Sequence, residues 1–331
     1  MKQNLFTFAL KLRLENRKIF MINRVLLRVK VLQILYAFYK GDENSVSLAE
    51  KELFYSIEKT YELYFHMLQL AVEVTHYAES KIDARKNKLR PTEEDLNPNT
   101  RFIDNSFVRQ VSKNLQLKDF LKEHKISWAN DLDTVKMVYD LIMESNYYAE
   151  YMAGETTDYV KDKDIWRKIY NKIILQSEDF FNSIEDQSIY WTDDLEIVIS
   201  FVIKSIKRFN LENGSEQELL PMFKDDEDRE FASKLIQNTL KSEEEYRQII
   251  DKHTRNWELD RIAFMDILIM QTALAEIMSF PTIPINVTLN EYIEISKSYS
   301  TDKSATFING VLDNAVKELK ADNKLIKVVR I

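Results

Sequence analysis

The sequence has no cysteine and only four glycines and five prolines among its 331 residues. The absence of cysteine excludes disulfides, thiolate nucleophiles and cysteine-ligated zinc, and it suits a cytoplasmic protein, which we expect this one to be. Strand-rich folds need more turn residues than this chain supplies, so the composition favours an all-α fold. Four scattered glycines also cannot build a phosphate-binding loop or a dinucleotide-binding turn.

No other catalytic or metal-binding pattern stands out. The four histidines, His66, His76, His124 and His253, lack metal-ligand spacing, and we predict surface or boundary positions for them. The many carboxylates are scattered over predicted helix faces, where solvated side chains are the usual finding. No segment approaches 18 uncharged apolar residues, the minimum for a membrane span. The sequence therefore predicts a non-enzymatic protein without metal, cofactor or membrane segment.

The formal net charge of −8 is unevenly distributed along the chain. Residues 1–40 contain nine lysines and arginines but a single acid, Glu15. A basic start on an acidic body indicates that a polyanion docks near the N-terminus, although a basic frayed tail would give the same composition. Residues 1–20 look unlike the regular helix that follows. We expect 1–21 to be an N-terminal extension whose first twenty residues are not native, with Met21 as the natural start.

Apolar periodicity predicts helices along most of the chain. The predicted helical segments are 22–39, 47–79, 102–124, 128–151, 158–185, 193–210, 226–253 and 258–279. Thr288 and Glu291 have the Thr-x-x-Glu spacing of a capping box for the next helix, and the last helix is predicted to begin at Asp302 or Ser304. The acidic run 212–230, which contains a glycine and a proline, is the clearest boundary.

Two stretches carry an ordered series of motifs. The first, NRVLLRVKVLQILY at 23–36, contains Leu-Gln-x-Leu-Tyr. The second, at 256–314, contains Trp-x-Leu-Asp-Arg, then Ile-Pro-x-x-Val-x-x-Asn-Glu, then Phe-x-Asn-Gly-Val-Leu-Asp. Together they resemble the NusB family of transcription antitermination factors, and DREFASKLIQNTL at 228–240 is similar to the family's third helix.

This resemblance implies a fold and a set of partners. The fold would be two packed helical bundles, and the partners would be a boxA-type RNA, a small-subunit ribosomal protein and the RNA polymerase antitermination complex. The residues between the matched stretches have no counterpart in short family members, so we predict a large helical insertion. The predicted domains are 22–60 with 222–255 as a discontinuous first bundle, 61–221 as the insertion, 256–320 as the second bundle and 321–331 as a basic tail.

The first matched stretch supplies four candidate RNA-binding residues. Arg24 and Arg28 lie four residues apart and away from the apolar stripe, so we expect both on an exposed face that contacts phosphate. Solvated or acid-paired arginines are the alternative. Lys30 can add charge. Tyr36 matches a family tyrosine near the RNA and is predicted to stack on a base, with core packing as the alternative.

The second matched stretch supplies four more candidates. Gly310 falls opposite the apolar stripe of the last helix, where a missing side chain permits close approach by RNA backbone, a protein partner or the inserted helices. Asn309, at the stripe's edge, can bond RNA or a neighbouring loop. Phe307, at the other edge, resembles a family aromatic near the RNA and is predicted either to stack on a base or to pack at the core edge. Lys303, at the helix start, suits phosphate, although many relatives carry an acid there.

The helix after the Trp-x-Leu-Asp-Arg motif is almost wholly apolar, with Asp260, Arg261 and Asp266 around it. We expect a buried ion pair between Arg261 and an acid. For the whole chain we predict an RNA-binding antitermination factor. Two alternatives stay open. The first is a helical scaffold that has lost RNA binding, which is favoured because family members often carry more arginine in the first helix and an acid where this chain has Lys303. The second is an accessory domain of RNA methyltransferase type, which the lack of a glycine-rich cofactor turn disfavours.

Overall fold

The computed structural model describes residues 23–41, 45–156, 158–254, 262–301 and 303–328. These ranges contain helices and no strand, so the predicted all-α fold is confirmed. Within the same ranges, no helix combines the length and the hydropathy that crossing a membrane requires. The expected extension 1–21, the residues Asp260 and Arg261, and the alternative helix start Asp302 lie outside the described residues.

The described part of the chain forms fifteen α-helices, which are α1 Arg24–Lys40, α2 Val46–Lys86, α3 Glu93–Leu96, α4 Ser106–Lys113, α5 Leu115–His124, α6 Leu132–Met143, α7 Asn146–Met152, α8 Tyr159–Lys168, α9 Glu178–Glu185, α10 Leu195–Arg208, α11 Asp226–Lys241, α12 Glu243–His253, α13 Phe264–Ser279, α14 Ile285–Tyr299 and α15 Ser304–Ala321. A π-helical segment, Ile169–Ile173, follows α8 directly. Short 3-10 segments cover Ile174–Gln176, Ile189–Trp191 and Leu211–Glu216.

The chain divides into two compact units, and the division falls within α2. The first, which we call the core unit, comprises 1–57 and 222–331. The second, which we call the inserted unit, comprises 58–221. The expected division of the core unit into two separate bundles stays a prediction.

Helix α13 lies at the centre of the core unit. Its sequence is apolar on every side, and all but its ends are buried. A helix of this composition has to be enclosed, and α1, α11, α12, α14 and α15 all pack against it. The end of α1 and the start of α15 both contact the first turn of α13. This arrangement positions the candidate site described below.

Helix α1 has the predicted position. It begins because the Asn23 side chain accepts a hydrogen bond from the Leu26 backbone N–H at 3.0 Å, which satisfies one of the free donors of the first turn. It ends at Gly41, whose N–H still donates to the Ala37 carbonyl. The predicted span, 22–39, differs from the observed one by two residues at the start and one at the end.

Helix α14 begins earlier than the capping-box pattern predicts. Its first residue is Ile285, directly after Pro284. Proline is well tolerated at a helix start because the first turn needs no backbone donor there. Thr288 therefore lies inside the helix, and its hydroxyl donates to Glu276 Oε1 at 2.8 Å instead of capping. The prediction of a capping box at Thr288 and Glu291 is wrong for this reason.

The inserted unit has an aromatic interior, in which Tyr64, Trp128, Trp166 and Tyr170 are fully buried. Its helices after α2 are shorter than the predicted ones. The segment predicted at 102–124, for example, is broken at Asn114, which ends α4 and starts α5 by accepting from the Leu117 N–H at 2.9 Å.

His66 departs from its predicted surface position, because it lies inside the inserted unit. Its ring stacks on Trp128 with centroids 3.9 Å apart, and its Nε2 is 3.2 Å from Gln187 Oε1. Burial lowers the pKa of His66 to about 4. The imidazole is therefore neutral near pH 7.

The chain beyond α15 returns to the end of α13. Lys327 Nζ donates to the carbonyls of Phe280 and Ile283, both at 2.9 Å, and the Val328 N–H donates to the Pro281 carbonyl at 3.0 Å. Burial lowers the pKa of Lys327. Lys327 thus ties the segment after α15 to the loop between α13 and α14.

Candidate nucleic-acid interface

Arg28 is buried in the core unit and does not lie on an exposed face. Its side chain is 3% exposed, and both Nε and one terminal nitrogen donate to the Glu276 carboxylate at 2.7 Å. Burial disfavours the charge of Arg28, but the hydrogen bonds and charge of Glu276 outweigh it and raise the arginine pKa. The expectation that Arg28 contacts phosphate is therefore wrong, because its guanidinium is already held by an internal acid.

Glu276 is fully satisfied within the core unit. Besides Arg28 it accepts hydrogen bonds from the hydroxyls of Thr288, at 2.8 Å, and Tyr292, at 3.2 Å. Burial and the neighbouring Glu276 charge raise the pKa of Tyr292 well above its usual range, so this phenol stays a donor. The carboxylate thus connects α13 to both α1 and α14.

Arg24 is acid-paired, which was the alternative to phosphate contact. Its Nε lies 3.0 Å from Asp228 Oδ1, and a terminal nitrogen lies 3.8 Å from Glu227 Oε2. Its guanidinium also lies 5.1 Å from the centroid of the Phe231 ring. The side chain is 36% exposed. Arg24 therefore fastens the start of α1 to the start of α11.

Lys30 is likewise absent from the surface, since it is 2% exposed. Leu26 to Leu32 are all buried, so this part of α1 has no solvent-facing side. The expectation that Lys30 adds charge to an exposed face is wrong for this reason.

The end of α1 does reach the surface, and there it forms an aromatic cluster. Tyr36 is 41% exposed, and its ring centroid lies 5.7 Å from that of Phe264, the first residue of α13. The Tyr39 ring meets Phe264 edge-on at 6.0 Å. Lys40 Nζ lies 4.6 Å from the Phe264 centroid and 5.9 Å from that of Tyr36. Sequence reasoning missed Phe264 and Lys40, although Lys40 follows Tyr36 by one helical turn.

The start of α15 is fixed to the same turn of α13. Asp266 is buried and accepts hydrogen bonds from the hydroxyls of Ser300 and Ser304, the latter at 2.8 Å. The Ser304 hydroxyl also accepts from the Thr301 N–H at 3.2 Å. Asp266 therefore anchors the loop before α15 through hydroxyl groups.

The remaining candidates lie on the first turns of α15. Lys303, Asn309 and Gly310 are exposed, and Phe307 is partly buried. Lys303, Phe307 and Gly310 follow one another by four and three residues, so they share one side of the helix. A Cβ placed on Gly310 would have no heavy atom of the described residues within 4 Å. The predicted outward position of Gly310 is thus observed.

Phe264 contacts the end of α1, and Asp266 contacts the start of α15. They are two residues apart on α13, hence separated by roughly 200° around its axis. The end of α1 and the start of α15 therefore attach to nearly opposite sides of the first turn of α13. We call the exposed residues at this end of α13 the candidate surface, which consists of Tyr36, Lys40, Lys303, Phe307, Asn309 and Gly310.

The comparison with known proteins covers only part of the candidate surface. The model of the NusB family matches residues 204–317. This range includes α15 except its last turn, and it does not include α1. No solved structure was found to match the chain.

Curated relatives match about a third of the chain. A transcription antitermination protein NusB from Salinibacter ruber is 41% identical over 111 residues, which are 34% of this chain and 69% of that protein. The protein of the same name from Koribacter versatilis is 41% identical over 100 residues, 30% of this chain and 68% of its own length. The one from Thermodesulfovibrio yellowstonii is 35% identical over 125 residues, 38% and 78% of the two chains. The chain therefore belongs to the NusB family.

Proposed function

We propose that this protein is a transcription antitermination factor that binds boxA-type RNA together with a small-subunit ribosomal protein, as part of an RNA polymerase antitermination complex. Two facts support this proposal. The chain belongs to the NusB family, and its relatives carry the name of transcription antitermination proteins. The core unit also presents cations and aromatic rings side by side on the candidate surface.

One observation carries the proposal furthest. The first turn of α13 holds Tyr36 through Phe264 and Ser304 through Asp266. Two segments distant in sequence are thereby held at the same end of α13. A single strand of RNA can place bases against Tyr36 and Phe307 and phosphates beside Lys40 and Lys303.

The last helix adds a route for close contact. Gly310 lacks a side chain on the same side of α15 as Lys303 and Phe307, so RNA backbone can approach the helix there. Asn309 offers both a donor and an acceptor to a base edge. Arg24, Arg28 and Lys30 have no part in this proposal, because they are acid-paired or buried.

The test is a salt-dependent titration of the full chain with labelled boxA-type RNA, followed by fluorescence anisotropy. Lys40→Gln with Lys303→Gln should weaken binding and reduce the slope of log K against log salt by about 1.4, since each single-strand phosphate contact contributes about 0.7. The matched control is Lys317→Gln with Lys320→Gln, two exposed lysines near the other end of α15. Equal slopes for both double variants would refute this surface.

A second candidate function is a helical scaffold without RNA binding. The burial of Arg28 and Lys30 and the pairing of Arg24 favour it, because they remove three cations that RNA contact was expected to use. The same titration separates the two functions when it is run with and without the ribosomal protein. A scaffold would bind the ribosomal protein, but the anisotropy of the labelled RNA would not rise, whether or not the ribosomal protein is present.

A further inference from the structure

The far end of α2, in the inserted unit, carries a dense run of positive charge. Lys81, Arg85, Lys86, Lys88 and Arg90 are all exposed, and Asp83 is the acid among them. Lys88 is engaged by Asp95, with Nζ 3.1 Å from a carboxylate oxygen. The other cations of this run extend a basic surface along a chain whose overall charge is negative.

A tyrosine and two of these cations form one stripe of α2. Tyr77, Lys81 and Arg85 follow at intervals of four residues, so they share a side of the helix. Lys81 Nζ lies 4.9 Å from the centroid of the Tyr77 ring. Asp83 is two residues from Lys81 and projects from a nearly opposite side. The stripe itself is therefore positive and aromatic.

A neighbouring helix brings another tyrosine to this stripe. The ring of Tyr139, on α6, meets that of Tyr77 at 5.2 Å with an interplanar angle of 70°. Burial raises the pKa of Tyr139 and of Tyr148 on α7, and the charge of Arg85 opposes this shift at both phenols. Asp140 adds a negative charge near Lys81.

The same association of tyrosine with cation continues along α7. Tyr147, next to Tyr148, lies beneath Lys168, whose Nζ is 6.0 Å from the ring centroid. Tyr77, Tyr139, Tyr147 and Tyr148 are all partly buried, so each ring is supported by the unit and keeps some accessible surface. Supported rings with accessible surface and adjacent cations are the features by which proteins bind unpaired bases and their phosphates.

We propose that Tyr77, Lys81, Arg85 and Tyr139 form a second RNA-binding surface, specific for single strands, on the inserted unit. We call these four residues the inserted-unit patch. It lies outside the residues that the family model matches, and it is independent of the candidate surface of the core unit. Duplex RNA would meet the cations but keep its bases stacked, and an acidic peptide would gain nothing from the rings.

The electrostatic test uses the full chain and an unstructured 12-nucleotide oligouridine, measured by fluorescence anisotropy. Lys81→Gln with Arg85→Gln should weaken binding about tenfold at low salt and reduce the salt slope by about 1.4. The matched control is Lys118→Gln with Lys122→Gln, which are exposed and four residues apart on α5. Helix α5 stacks Phe120 on Phe65 of α2, and from Phe65 to Lys81 the helix rises roughly 24 Å. Equal affinity and slope in the two double variants would overturn the proposal.

The aromatic test separates stacking from charge. Tyr139→Leu should weaken binding about tenfold, whereas Tyr139→Phe should keep most of it, because the phenylalanine ring still stacks. Cross-linking with 4-thiouridine in the wild-type chain should modify residues of the inserted-unit patch. Cross-links confined to the core unit would overturn the proposal. So would a duplex of the same length, or a polyglutamate peptide, that binds the patch as tightly as oligouridine does.

Discussion

Arg28 and Glu276 form a buried, two-pronged ion pair, with both donor–acceptor distances at 2.7 Å. Their side chains are 3% and 0% exposed. Hydroxyls of Thr288 and Tyr292 complete the carboxylate's hydrogen bonds. An arginine that resembles a phosphate ligand in the sequence thus fastens α1 to the central helix of the core unit.

The first prediction concerns this pair. Arg28→Ala should destabilise the protein by about 3–5 kcal/mol, since it leaves the Glu276 carboxylate buried without its counter-charge. Urea denaturation of the full chain measures the effect. Arg24→Ala is the control, and it should cost less than about 1 kcal/mol because the Arg24 pairs are partly solvated. Similar losses in the two variants would contradict the structural role assigned to Arg28.

The second prediction concerns pH. The pKa of His66 is lowered to about 4 in the folded chain from 6.5 in the unfolded one, so below pH 6.5 the unfolded state binds a proton that the folded state does not. Stability should therefore fall as the pH drops from 6.5 to 4, by up to about 3 kcal/mol from this group. Urea midpoints measured across this range test it. His66→Phe should flatten the dependence above pH 5, and an unchanged pH profile in that variant would argue against a buried neutral imidazole.

The third prediction concerns Gly310. Gly310→Ala should stabilise the protein by up to about 1 kcal/mol, because alanine is the better helix former and the added Cβ meets no described residue. If RNA approaches the helix here, the same change should weaken RNA binding. Thermal unfolding and an RNA titration on one preparation measure both effects. A variant that is more stable and binds RNA as well as the wild type would show that nothing packs against Gly310.

The fourth prediction concerns Ser304. Ser304→Ala removes the hydroxyl that joins Asp266 to the loop before α15. We expect a loss of about 1–3 kcal/mol, because Asp266 is buried and would lose one of its donors. RNA affinity should fall as well, although no charge has changed. Ser183→Ala, at a partly buried serine whose hydroxyl donates to the Phe180 carbonyl of its own helix, should affect neither quantity. Normal RNA affinity in Ser304→Ala would show that this loop does not contribute to RNA binding.

Local signals in the sequence predict the helices of the core unit well. Asn23 and Gly41 are capping residues that mark the ends of α1, and Ser304 does begin α15. Asn114 shows how such a signal can be missed, because a single asparagine divides a continuous helical pattern in the inserted unit. The start of α14 was misplaced because Thr288 bonds Glu276, a partner on another helix.

The candidate site was harder to predict, because exposure depends on distant partners. Arg28 and Glu276 are 248 residues apart in the sequence, and no spacing rule within α1 shows that the arginine turns inward. Tyr36 and Ser304 both attach to the first turn of α13, through Phe264 and Asp266, and local spacing predicts neither contact. Gly310 was predicted correctly because its outward direction follows from periodicity within one helix.

Hydrogen exchange of the full chain, with and without boxA-type RNA and the ribosomal protein, tests the central claim most directly. If RNA lies across the first turn of α13, backbone amides near Tyr36 to Lys40 and Lys303 to Gly310 should both become slower to exchange when RNA is added. Protection at neither segment, or at one of them alone, would contradict a shared surface built from the end of α1 and the start of α15.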